Sequence, residues 1–522
     1  MSITYTSQSE QSFWENDAEQ YLSGIYRGIE KESLRIDSSG HISKLPHPKA
    51  LGSTLTHQYI TTDYSEALME FITPASDDRA APIRWLHDIH NEVYRNLQEE
   101  SLWATSMPCV MGAESNIPLA YFGESNSGRM KTVYREGLGH RYGRFMQTIA
   151  GVHYNFSFAN QLWTPLQQAA KSDLSLQDFR SARYMGVIRN FQRNSWIIPF
   201  FFGASPALCE SFLQGRPNRL DTLVPGTRYG QFATSLRMSD LGYQNNVQSQ
   251  LKVSTNCLNE YIENLEHAIR TVDPYYESIG VVENGHYKQL NANVLQIENE
   301  FYSNVRPKRT AASGERPTKA LRNGGIEYIE VRALDINPFS SVGVTQQQLN
   351  FIDIFMLHSV MHCSPLITER EEAENKKNFA RVVKGGRDRE LYLWRNNRQQ
   401  AVGDLARALF DEFYIAAAML DKAYQTEDFS ATLATLAEQI KNPELTLSGQ
   451  VIAAIQQRGD GFFPFAMSLS EQYKAEFLAA NVDPAKHKMF TAEAARSLAE
   501  QNEIEQNDDK TFAEFLADYF KD

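Results

Sequence analysis

Residues 324–339 constrain the fold of this 522-residue chain most strongly, because they combine a strand-like pattern with charged side chains. Their sequence is Gly-Gly-Ile-Glu-Tyr-Ile-Glu-Val-Arg-Ala-Leu-Asp-Ile-Asn-Pro-Phe. Side chains alternate between the two faces of a strand, so Ile329, Val331 and Ala333 are expected on a core face. The opposite face would carry Tyr328, Glu330, Arg332 and Leu334. A salt bridge on a solvated face would be a sufficient explanation for this stretch alone.

Four other stretches show a similar alternation of polar and apolar side chains. In residues 25–36 the acids Glu30 and Glu32 would share one face of a strand, and in residues 62–74 the acid Glu70 stands between apolar neighbours. Residues 151–158 and 287–295 also alternate, and their polar faces would be formed by His153, Asn155, Ser157, Gln289, Asn291 and Asn293. A sheet that packs on one side and lines a polar cavity on the other would explain all of these strands.

Apolar residues at spacings of three and four predict helices in the rest of the chain. We expect them over residues 8–23, 80–102, 178–198 and 255–270, with a loop-rich stretch after residue 102. Helix-start signals, in which Ser or Thr precedes Gln or Glu by three residues, occur at Thr345 and Gln348, Ser468 and Glu471, and Thr511 and Glu514. The pattern predicts an α+β fold, with a sheet region and peripheral helices over residues 1–342 and a mostly helical C-terminal region over residues 343–522 that packs on it.

Composition and charge narrow the possible functions. Apolar residues make up 42% and charged residues 22% of the chain, as in ordinary globular proteins. The formal net charge of −13 disfavours nucleic acid and acidic membranes as partners. The four cysteines show no Cys-x-x-Cys spacing, which argues against a cysteine-based zinc site, and the first residues lack the pattern of a signal peptide. We therefore expect a cytoplasmic location.

Six residues from four of these regions could bind metal ions. They are Glu30, Glu32, Asp63, Glu70, His153 and Glu330. Carboxylates that share one cavity raise one another's pKa unless cations neutralise them. A carboxylate-rich set with a single histidine favours Mg²⁺ or Mn²⁺ over zinc. Taken singly, each acid would more often be an exposed or salt-bridged side chain, and the histidine a hydrogen-bonded core residue.

Two runs of basic residues precede the strands at His153 and Glu330. They contain Arg129, Lys131, Arg135, Arg141, Arg144, Arg306, Lys308, Arg309, Arg316, Lys319 and Arg322. Such runs are usually solvated surface, but beside an acidic metal cluster they would suit the phosphates of a nucleotide. The chain has no Gly-x-x-x-x-Gly-Lys-Ser/Thr phosphate loop, and residues 137–143 have the wrong spacing for a dinucleotide fingerprint.

These stretches together resemble the proteobacterial glutamate–cysteine ligase family. The similarity is carried by Tyr-Arg-Gly-Ile-Glu-Lys-Glu-Ser-Leu-Arg at 26–35, Ile-Thr-Thr-Asp-Tyr-Ser-Glu-Ala-Leu-Met-Glu-Phe-Ile-Thr-Pro at 60–74, Gly-Val-His-Tyr-Asn-Phe-Ser at 151–157, Ser-Asp-Leu-Gly-Tyr at 239–243, Leu-Gln-Ile-Glu-Asn-Glu-Phe-Tyr at 295–302 and the stretch at 324–339. It extends over about residues 20–342, and the helical C-terminal region matches much less well.

The resemblance implies a glutamine-synthetase-like fold, in which a curved antiparallel sheet forms a funnel that holds metal ions and nucleotide. It implies Mg²⁺ or Mn²⁺ as cofactor and ATP as a substrate. One Mg²⁺ would be held by Glu32, Asp63 and Glu70. The metal nearer the phosphates would be held by Glu30, His153 and Glu330.

The same resemblance assigns the organic substrates. Arg237 and Arg332 would meet glutamate or its developing phosphate. The cysteine pocket would be formed by Tyr64, Tyr134, Leu138, Tyr243 and Tyr302. The implied reaction joins the γ-carboxylate of L-glutamate to the amine of L-cysteine through a γ-glutamyl phosphate, as the first step of glutathione biosynthesis.

Two alternatives stay open at this point. One is a related γ-glutamyl ligase that uses another amine, and the other is a non-catalytic relative that binds glutamate or nucleotide. All six expected metal ligands are present, whereas a non-catalytic relative would be expected to lack one or more. The sequence leaves the oligomeric state open, and a monomer is compatible with it.

Overall fold

The computed structural model describes residues 3–108, 110–241, 251–312 and 314–521. Its main feature is a seven-stranded sheet in which every paired strand runs antiparallel to its neighbour. The strands of this sheet are β1 (Tyr26–Ile36), β2 (Ile60–Thr62), β3 (Leu68–Ile72), β4 (Ser101–Leu102), β5 (Gly151–Ser157), β11 (Val305–Lys308) and β12 (Tyr328–Asp335). The expected α+β class with an antiparallel sheet is confirmed.

The order of the strands places the acidic stretches side by side. The order is β11, β12, β5, β1, β3, β2, and the short strand β4 pairs with the end of β1. Glu30 on β1 lies opposite His153 on β5, and Glu32 on β1 lies opposite Glu70 on β3. Residues directly opposite each other point to the same face of a sheet, so these four side chains share one face.

The other face of the sheet is apolar and packs against helices. Ile29, Val331 and Tyr154 are fully buried on it. A bulge in β12 shifts the register between Val331 and Leu334, so that Leu334 lies opposite Val152. The extra residue turns the buried Leu334 onto the core face. Its predicted place beside Glu330 and Arg332 is therefore wrong, because simple alternation takes no account of a bulge.

The remaining strands form small sheets around this centre. They are β6 (Ala207–Cys209), β7 (Asp221–Val224), β8 (Thr227–Tyr229), β9 (Val282–Glu283), β10 (His286–Tyr287), β13 (Tyr392–Arg395) and β14 (Arg398–Ala401). The first three pair in the order β6, β8, β7, and the others form two hairpins.

Helices surround the sheet in the first part of the chain. They are α1 (Gln8–Asn16), α2 (Glu19–Leu22), α3 (Ala81–Asn96), α4 (Asn126–Tyr142), α5 (Trp163–Ala170), α6 (Leu176–Asn194), α7 (Ile197–Phe202), α8 (Glu210–Leu213), α9 (Leu258–Ala268), α10 (Pro274–Ile279) and α11 (Pro317–Gly324). Helix α4 lies in the stretch that was expected to be rich in loops. Its start is capped by Ser125, whose hydroxyl accepts a hydrogen bond from the Gly128 amide.

The chain after residue 343 is mostly helical, as predicted. Its helices are α12 (Gln346–Met361), α13 (Glu369–Gly385), α14 (Val402–Tyr424), α15 (Asp428–Lys441), α16 (Leu447–Arg458), α17 (Phe462–Ala479), α18 (Pro484–Gln506) and α19 (Phe512–Tyr519). The capping boxes at Thr345 and Thr511 are confirmed. The start signal at Ser468 is wrong, because this residue lies inside α17, which begins six residues earlier at Phe462.

Two predicted strands differ from the structure. Residues 62–74 form no single strand, because Leu68 returns to pair with the end of β2: the Asp63 amide donates to the Leu68 carbonyl at 2.8 Å. Residues 287–295 are almost entirely loop. The polar side chains there support the loop backbone: Gln289 donates to the carbonyls of Tyr276 and Gly280, and Asn291 donates to the carbonyl of Gln296.

The helical C-terminal region packs directly on the apolar face of the sheet. Asp353 on α12 accepts hydrogen bonds from Arg27 Nε on β1 and from the Tyr154 hydroxyl on β5, both at 2.7 Å. All three side chains are fully buried. One hydrophobic core contains residues from both predicted regions, and their division near residue 342 stays a prediction. Among the described helices, none is both long and apolar enough to cross a membrane.

Candidate active site

A cavity of about 930 Å³ opens on the polar face of the sheet. It takes in all six expected metal ligands, both expected arginines and four of the five expected pocket residues. These are Glu30, Glu32, Asp63, Glu70, His153, Glu330, Arg237, Arg332, Tyr64, Tyr134, Leu138 and Tyr302. The fifth pocket residue, Tyr243, lies outside the described residues. Residues far apart in the sequence thus meet in one place.

His153 lies at the centre of the carboxylates. Its Nδ1 is 3.4 Å from Glu30 Oε2 and 3.7 Å from Glu330 Oε1, and its Nε2 is 4.0 Å from Glu32 Oε1. One ligand atom each from Glu30, Glu70 and His153 lies within 4.8 Å of the other two. This spacing is close enough for a shared cation after small side-chain rotations.

Two of the carboxylates are held in an environment that disfavours their charge. Burial raises the pKa of Glu32 to about 8, and the charge of Asp63 adds to the effect. Burial also raises the pKa of Glu70 well above its usual value, with further contributions from Glu30 and Asp63. Like charges directly opposite each other destabilise a sheet, and Glu32 and Glu70 are such a pair. A cation at this position would relieve the repulsion.

The other two strand acids are stabilised in their ionised form. Burial opposes the charge of Glu30, but the hydrogen bond with His153 and the charge of Lys308 lower its pKa. Burial likewise opposes ionisation of Glu330, whose pKa is nevertheless held well below its usual value by Lys308 and Arg332. The cavity therefore contains both carboxylates that stay ionised and carboxylates whose pKa is raised.

Glu330 combines a salt bridge with an oxygen that has no hydrogen bond. Arg332 Nη1 donates to Glu330 Oε1 at 3.0 Å, so the simple salt bridge expected from the sequence is present. Lys308 Nζ is 3.6 Å from Oε2. Among the described residues, buried Oε2 has no hydrogen-bond partner. Burying such an oxygen is costly, and a bound cation is one way to satisfy it.

The two arginines expected at the reacting groups are held differently. Arg237 donates from Nε to Asp335 at 2.8 Å and from Nη2 to the carbonyls of Arg332 and Leu334. Arg332 is paired with Glu330, and its Nε lacks a hydrogen-bond partner within the described part of the chain. Arg237 is thus firmly anchored to the bulged end of β12, while Arg332 keeps donor capacity.

The expected pocket residues come from a turn, a helix and a loop. Tyr64 follows β2, Tyr134 and Leu138 lie one turn apart on α4, and Tyr302 precedes β11. The Tyr302 hydroxyl donates to Met238 Sδ at 3.2 Å. Tyr64 approaches α4 closely: a Cβ added at Gly139 would lie 2.5 Å from the Tyr64 hydroxyl. The glycines at 137 and 139 therefore permit close packing. This packing explains the glycine pattern that weakly resembles a dinucleotide fingerprint.

The basic runs contribute less to the cavity than the sequence suggested. Three of their members, Arg135, Arg306 and Lys308, line it. Others do not line it and are paired with acids, as Arg316 is with Glu298 at 3.1 Å and Arg141 with Glu300 at 3.0 Å. Charge runs carry no signal that separates cavity residues from residues that stabilise loops.

Sequence reasoning missed a second arm of the same cavity. It is lined mainly by polar side chains from α6, the segment before α9, and α13, including Gln192, Ser195, Thr255, Asn256, Glu369, Glu372, Asn375 and Lys376. The segment Lys-Val-Ser-Thr-Asn at 252–256 was the available signal, but short polar stretches are common in loops. This arm gives the cavity room for a ligand larger than an amino acid.

Comparisons with known proteins identify the family of this chain. The model of the family described as glutamate-cysteine ligase matches residues 11–382. A glutamate–cysteine ligase from Alcanivorax borkumensis is 48% identical over 511 residues, which cover 97% of each chain. One from Shewanella amazonensis is 46% identical and covers 94% of this chain and 93% of its own length.

Solved structures show the same fold. A glutamate–cysteine ligase from Francisella tularensis in complex with AMP superimposes with a TM-score of 0.89 at 33% identity, covering 95% of this chain and 97% of that one. A bifunctional glutathione synthetase from Pasteurella multocida gives a TM-score of 0.74 at 27% identity, covering 93% of this chain and 58% of that one. With its family model, its relatives and its fold in agreement, this chain belongs to the glutamate–cysteine ligase family.

Proposed function

We propose that the cavity joins the γ-carboxylate of L-glutamate to the amine of L-cysteine at the expense of ATP, the first step of glutathione biosynthesis. A carboxylate lacks a good leaving group, so the γ-carboxylate first accepts the terminal phosphoryl group of ATP. The amine of cysteine then attacks the γ-glutamyl phosphate and phosphate leaves. A reaction that uses ATP and a free thiol also suits the cytoplasm.

The observation that carries this proposal is the convergence of five carboxylates, one imidazole and several cationic side chains on one cavity. Such a set suits bound cations and the charge of a transferring phosphoryl group. The orphaned Oε2 of Glu330 and the raised pKa of Glu32 fit a site that holds Mg²⁺ or Mn²⁺.

The metal ligands divide into two groups along the sheet. Glu32, Asp63 and Glu70 would hold one Mg²⁺ where β1 meets β3. Glu30, His153 and Glu330 would hold the metal nearer the phosphates, where β1 meets β5 and β12. When bound, these cations neutralise the phosphate oxygens during transfer.

Arg332 would orient the γ-carboxylate and bind the developing acyl phosphate. Its guanidinium is fixed by Glu330 at 3.0 Å, so little side-chain entropy is lost on binding. Lys308 and Arg306 would add positive charge beside it. Arg237, anchored to Asp335 at 2.8 Å, would hold the bulged end of β12 and contribute charge at the edge of the glutamate site.

The cysteine pocket would be formed by Tyr64, Tyr134, Leu138, Tyr243 and Tyr302. The cavity beside the acids is lined by four of these residues, Tyr64, Tyr134, Leu138 and Tyr302. Their side chains would offer an apolar surface for the CH₂–SH group and keep bulk water away from the acyl phosphate.

The test is ADP release by the purified full-length chain. We expect release that requires Mg²⁺, L-glutamate and L-cysteine together, and Glu330→Gln should lower kcat by about 10²-fold or more, because the variant loses one ligand charge. The matched control is Glu327→Gln on the same segment. Its side chain is exposed, so this substitution should leave kcat unchanged. Full activity of Glu330→Gln would refute the site assignment.

Two further measurements separate the alternatives. Replacing cysteine by ammonia or 2-aminobutyrate tests the acceptor, and preference for ammonia would reject the proposed substrate. Mn²⁺ titration followed by electron paramagnetic resonance tests the metal site without turnover. Binding of nucleotide and Mn²⁺ with no ADP release under any condition would identify a non-catalytic relative.

A further inference from the structure

A second group of metal-binding side chains lies away from the catalytic cavity, where α12 packs against α14. His358 and His362 stand one helical turn apart at the end of α12, and Glu412 lies on α14. One ligand atom from each of the three lies within 4.8 Å of the other two. We propose that these residues bind a divalent transition metal of the zinc class.

The orientation of His362 supports a metal ligand. Its Nδ1 lies 3.0 Å from the carbonyl oxygen of Cys363, which only accepts hydrogen bonds. The ring proton therefore sits on Nδ1, and in the neutral imidazole Nε2 keeps its lone pair. Metal-bound histidines are commonly fixed through a carbonyl in this way. Nε2 faces Glu412 Oε2 at 3.7 Å, so two acceptors point at each other, an arrangement that a cation between them would stabilise.

His358 can bind a metal through Nε2 at the cost of one hydrogen bond. Nε2 donates to Glu412 Oε2 at 2.7 Å, and Nδ1 has no hydrogen-bond partner among the described residues. Moving the proton from Nε2 to Nδ1 breaks no bond at Nδ1. The hydrogen bond that is lost at Nε2 would be replaced by a bond to the metal.

The distances fit a tetrahedral site. Zn–N and Zn–O bonds of about 2.0–2.1 Å place ligand atoms about 3.3 Å apart in a tetrahedron. The two separations from Glu412 Oε2, 2.7 and 3.7 Å, lie on either side of that value. Small rotations would equalise them. The side chain of His362 is 27% exposed, so water has access to the fourth position.

The ligand set distinguishes this site from the catalytic cavity. Two imidazoles and one carboxylate favour zinc, cobalt or nickel, whereas a carboxylate-rich set favours Mg²⁺ or Mn²⁺. The positive charge of Arg395 would repel a bound cation. It lowers the pKa of both His358 and Glu412, and its own side chain is exposed. Bound metal would tie α14 to α12, the helix whose Asp353 anchors β1 and β5.

Cobalt binding to the full-length protein tests the proposal. We expect Co²⁺ to produce the visible absorption of a tetrahedral site, with His362→Gln weakening binding by at least about tenfold. The matched control is His267→Gln, an exposed histidine on α9, which should bind like the wild type. Glu30→Gln should also keep the band, because it alters only the catalytic cavity.

Two further measurements complete the test. Arg395→Gln should tighten Co²⁺ binding several-fold, because it removes a repelling charge. Zn²⁺ should raise the Tm of the wild type but not of His362→Gln, while the two proteins should share one Tm in chelator. Absence of the cobalt band in the wild type, or its loss in Glu30→Gln with retention in His362→Gln, would overturn the proposal.

Discussion

Glu32 and Glu70 occupy positions that a stable sheet would normally give to opposite charges or apolar pairs. They face each other across β1 and β3, and burial raises the pKa of both. Glu330 is the opposite case, since Lys308 and Arg332 keep its pKa well below its usual value. The site thus combines acids whose ionisation is disfavoured with one acid that stays charged. Such departures from local stability are typical of functional sites.

Tyr64 is a second position whose arrangement is unfavourable for stability. Its side chain is 1% exposed, and its hydroxyl has no hydrogen-bond partner in the described part of the chain. We predict that Tyr64→Phe raises the free energy of unfolding by about 1 kcal/mol, because a buried unsatisfied hydroxyl is removed. Chemical denaturation in the absence of substrates measures this change.

Tyr154→Phe is the matched control for Tyr64→Phe. The hydroxyl of Tyr154 donates to buried Asp353 at 2.7 Å, so the same substitution there should lower the free energy of unfolding by about 2 kcal/mol. A loss of stability in Tyr64→Phe similar to that in Tyr154→Phe would show that the Tyr64 hydroxyl has a partner after all.

Individual site residues were predictable wherever strand alternation held. Glu30, Glu32, His153 and Glu330 were located in this way, because each alternates with buried neighbours. Leu334 was placed on the wrong face, since a single extra residue in β12 inverts the pattern beyond it. Lys308 could not be separated from the exposed Lys319, because the fold alone decides which basic residue meets Glu330.

At the scale of elements, helix α4 packs closely against Tyr64 at Gly139. A methyl group at Gly139 would lie 2.5 Å from the Tyr64 hydroxyl and 3.2 Å from Arg144 Cγ. We predict that Gly139→Ala displaces Tyr64 and raises KM for cysteine by about tenfold or more, with KM for glutamate little changed. Steady-state kinetics with each substrate varied in turn measures both values.

Gly403→Ala is the control for Gly139→Ala. Gly403 is also helical, but the nearest atoms to an added methyl group there belong to the guanidinium of Arg407, at 3.4 Å or more. It should leave both KM values unchanged and raise stability by up to about 1 kcal/mol through helix propensity. An equal effect of both substitutions on KM for cysteine would contradict the proposed contact.

Elements were predictable where periodicity was long and uninterrupted. Strands β1 and β5 and helix α12 match the sequence closely. The hairpin of β2 and β3 was missed because its turn, Asp63 to Ala67, carries no Gly, Pro or Asn signal. Helix α4 was missed because it contains three glycines and no apolar stripe. Its glycines are required by neighbours that the sequence does not reveal.

At the scale of the whole molecule, the helical C-terminal region acts as a support for the catalytic sheet. Arg27 and Tyr154 bind Asp353 from the apolar face, directly behind strands that carry Glu30 and His153 on the other face. Sequence reasoning separated the two regions because their secondary structure differs. It could not show that they share one core, since long-range contacts leave no local pattern.

Buried neutral histidines make the whole molecule sensitive to acid. His57 Nδ1 accepts hydrogen bonds from the amides of Tyr59 and Ile60, at 3.1 and 2.9 Å, so it cannot take up a proton there without losing them. Burial lowers the pKa of His57 to about 4, and burial lowers that of His90 well below its usual value, aided by the charge of Lys31.

The sign of this effect follows from proton uptake. Unfolded histidine has a pKa of about 6.5, so below that pH the unfolded chain binds protons that the folded chain does not. The contribution of neutral His57 to the free energy of unfolding is complete above pH 6.5 and is lost as pH falls towards 4. His57 should cost about 1.4 kcal/mol per pH unit within that window. Guanidinium chloride unfolding at pH 7, 6 and 5 measures the slope.

The substitution His57→Asn isolates one histidine in this slope. An asparagine oxygen takes the place of Nδ1 and accepts from the same two amides, but it does not titrate. The slope of the unfolding free energy against pH between pH 6 and 5 should therefore decrease by the amount that corresponds to about one bound proton, while stability at pH 7 changes little. His41→Asn, at an exposed position, is the control and should leave the slope unchanged. Because the two proteins share every other titrating group, an unchanged slope in His57→Asn would mean that the folded protein protonates His57 as readily as the unfolded chain.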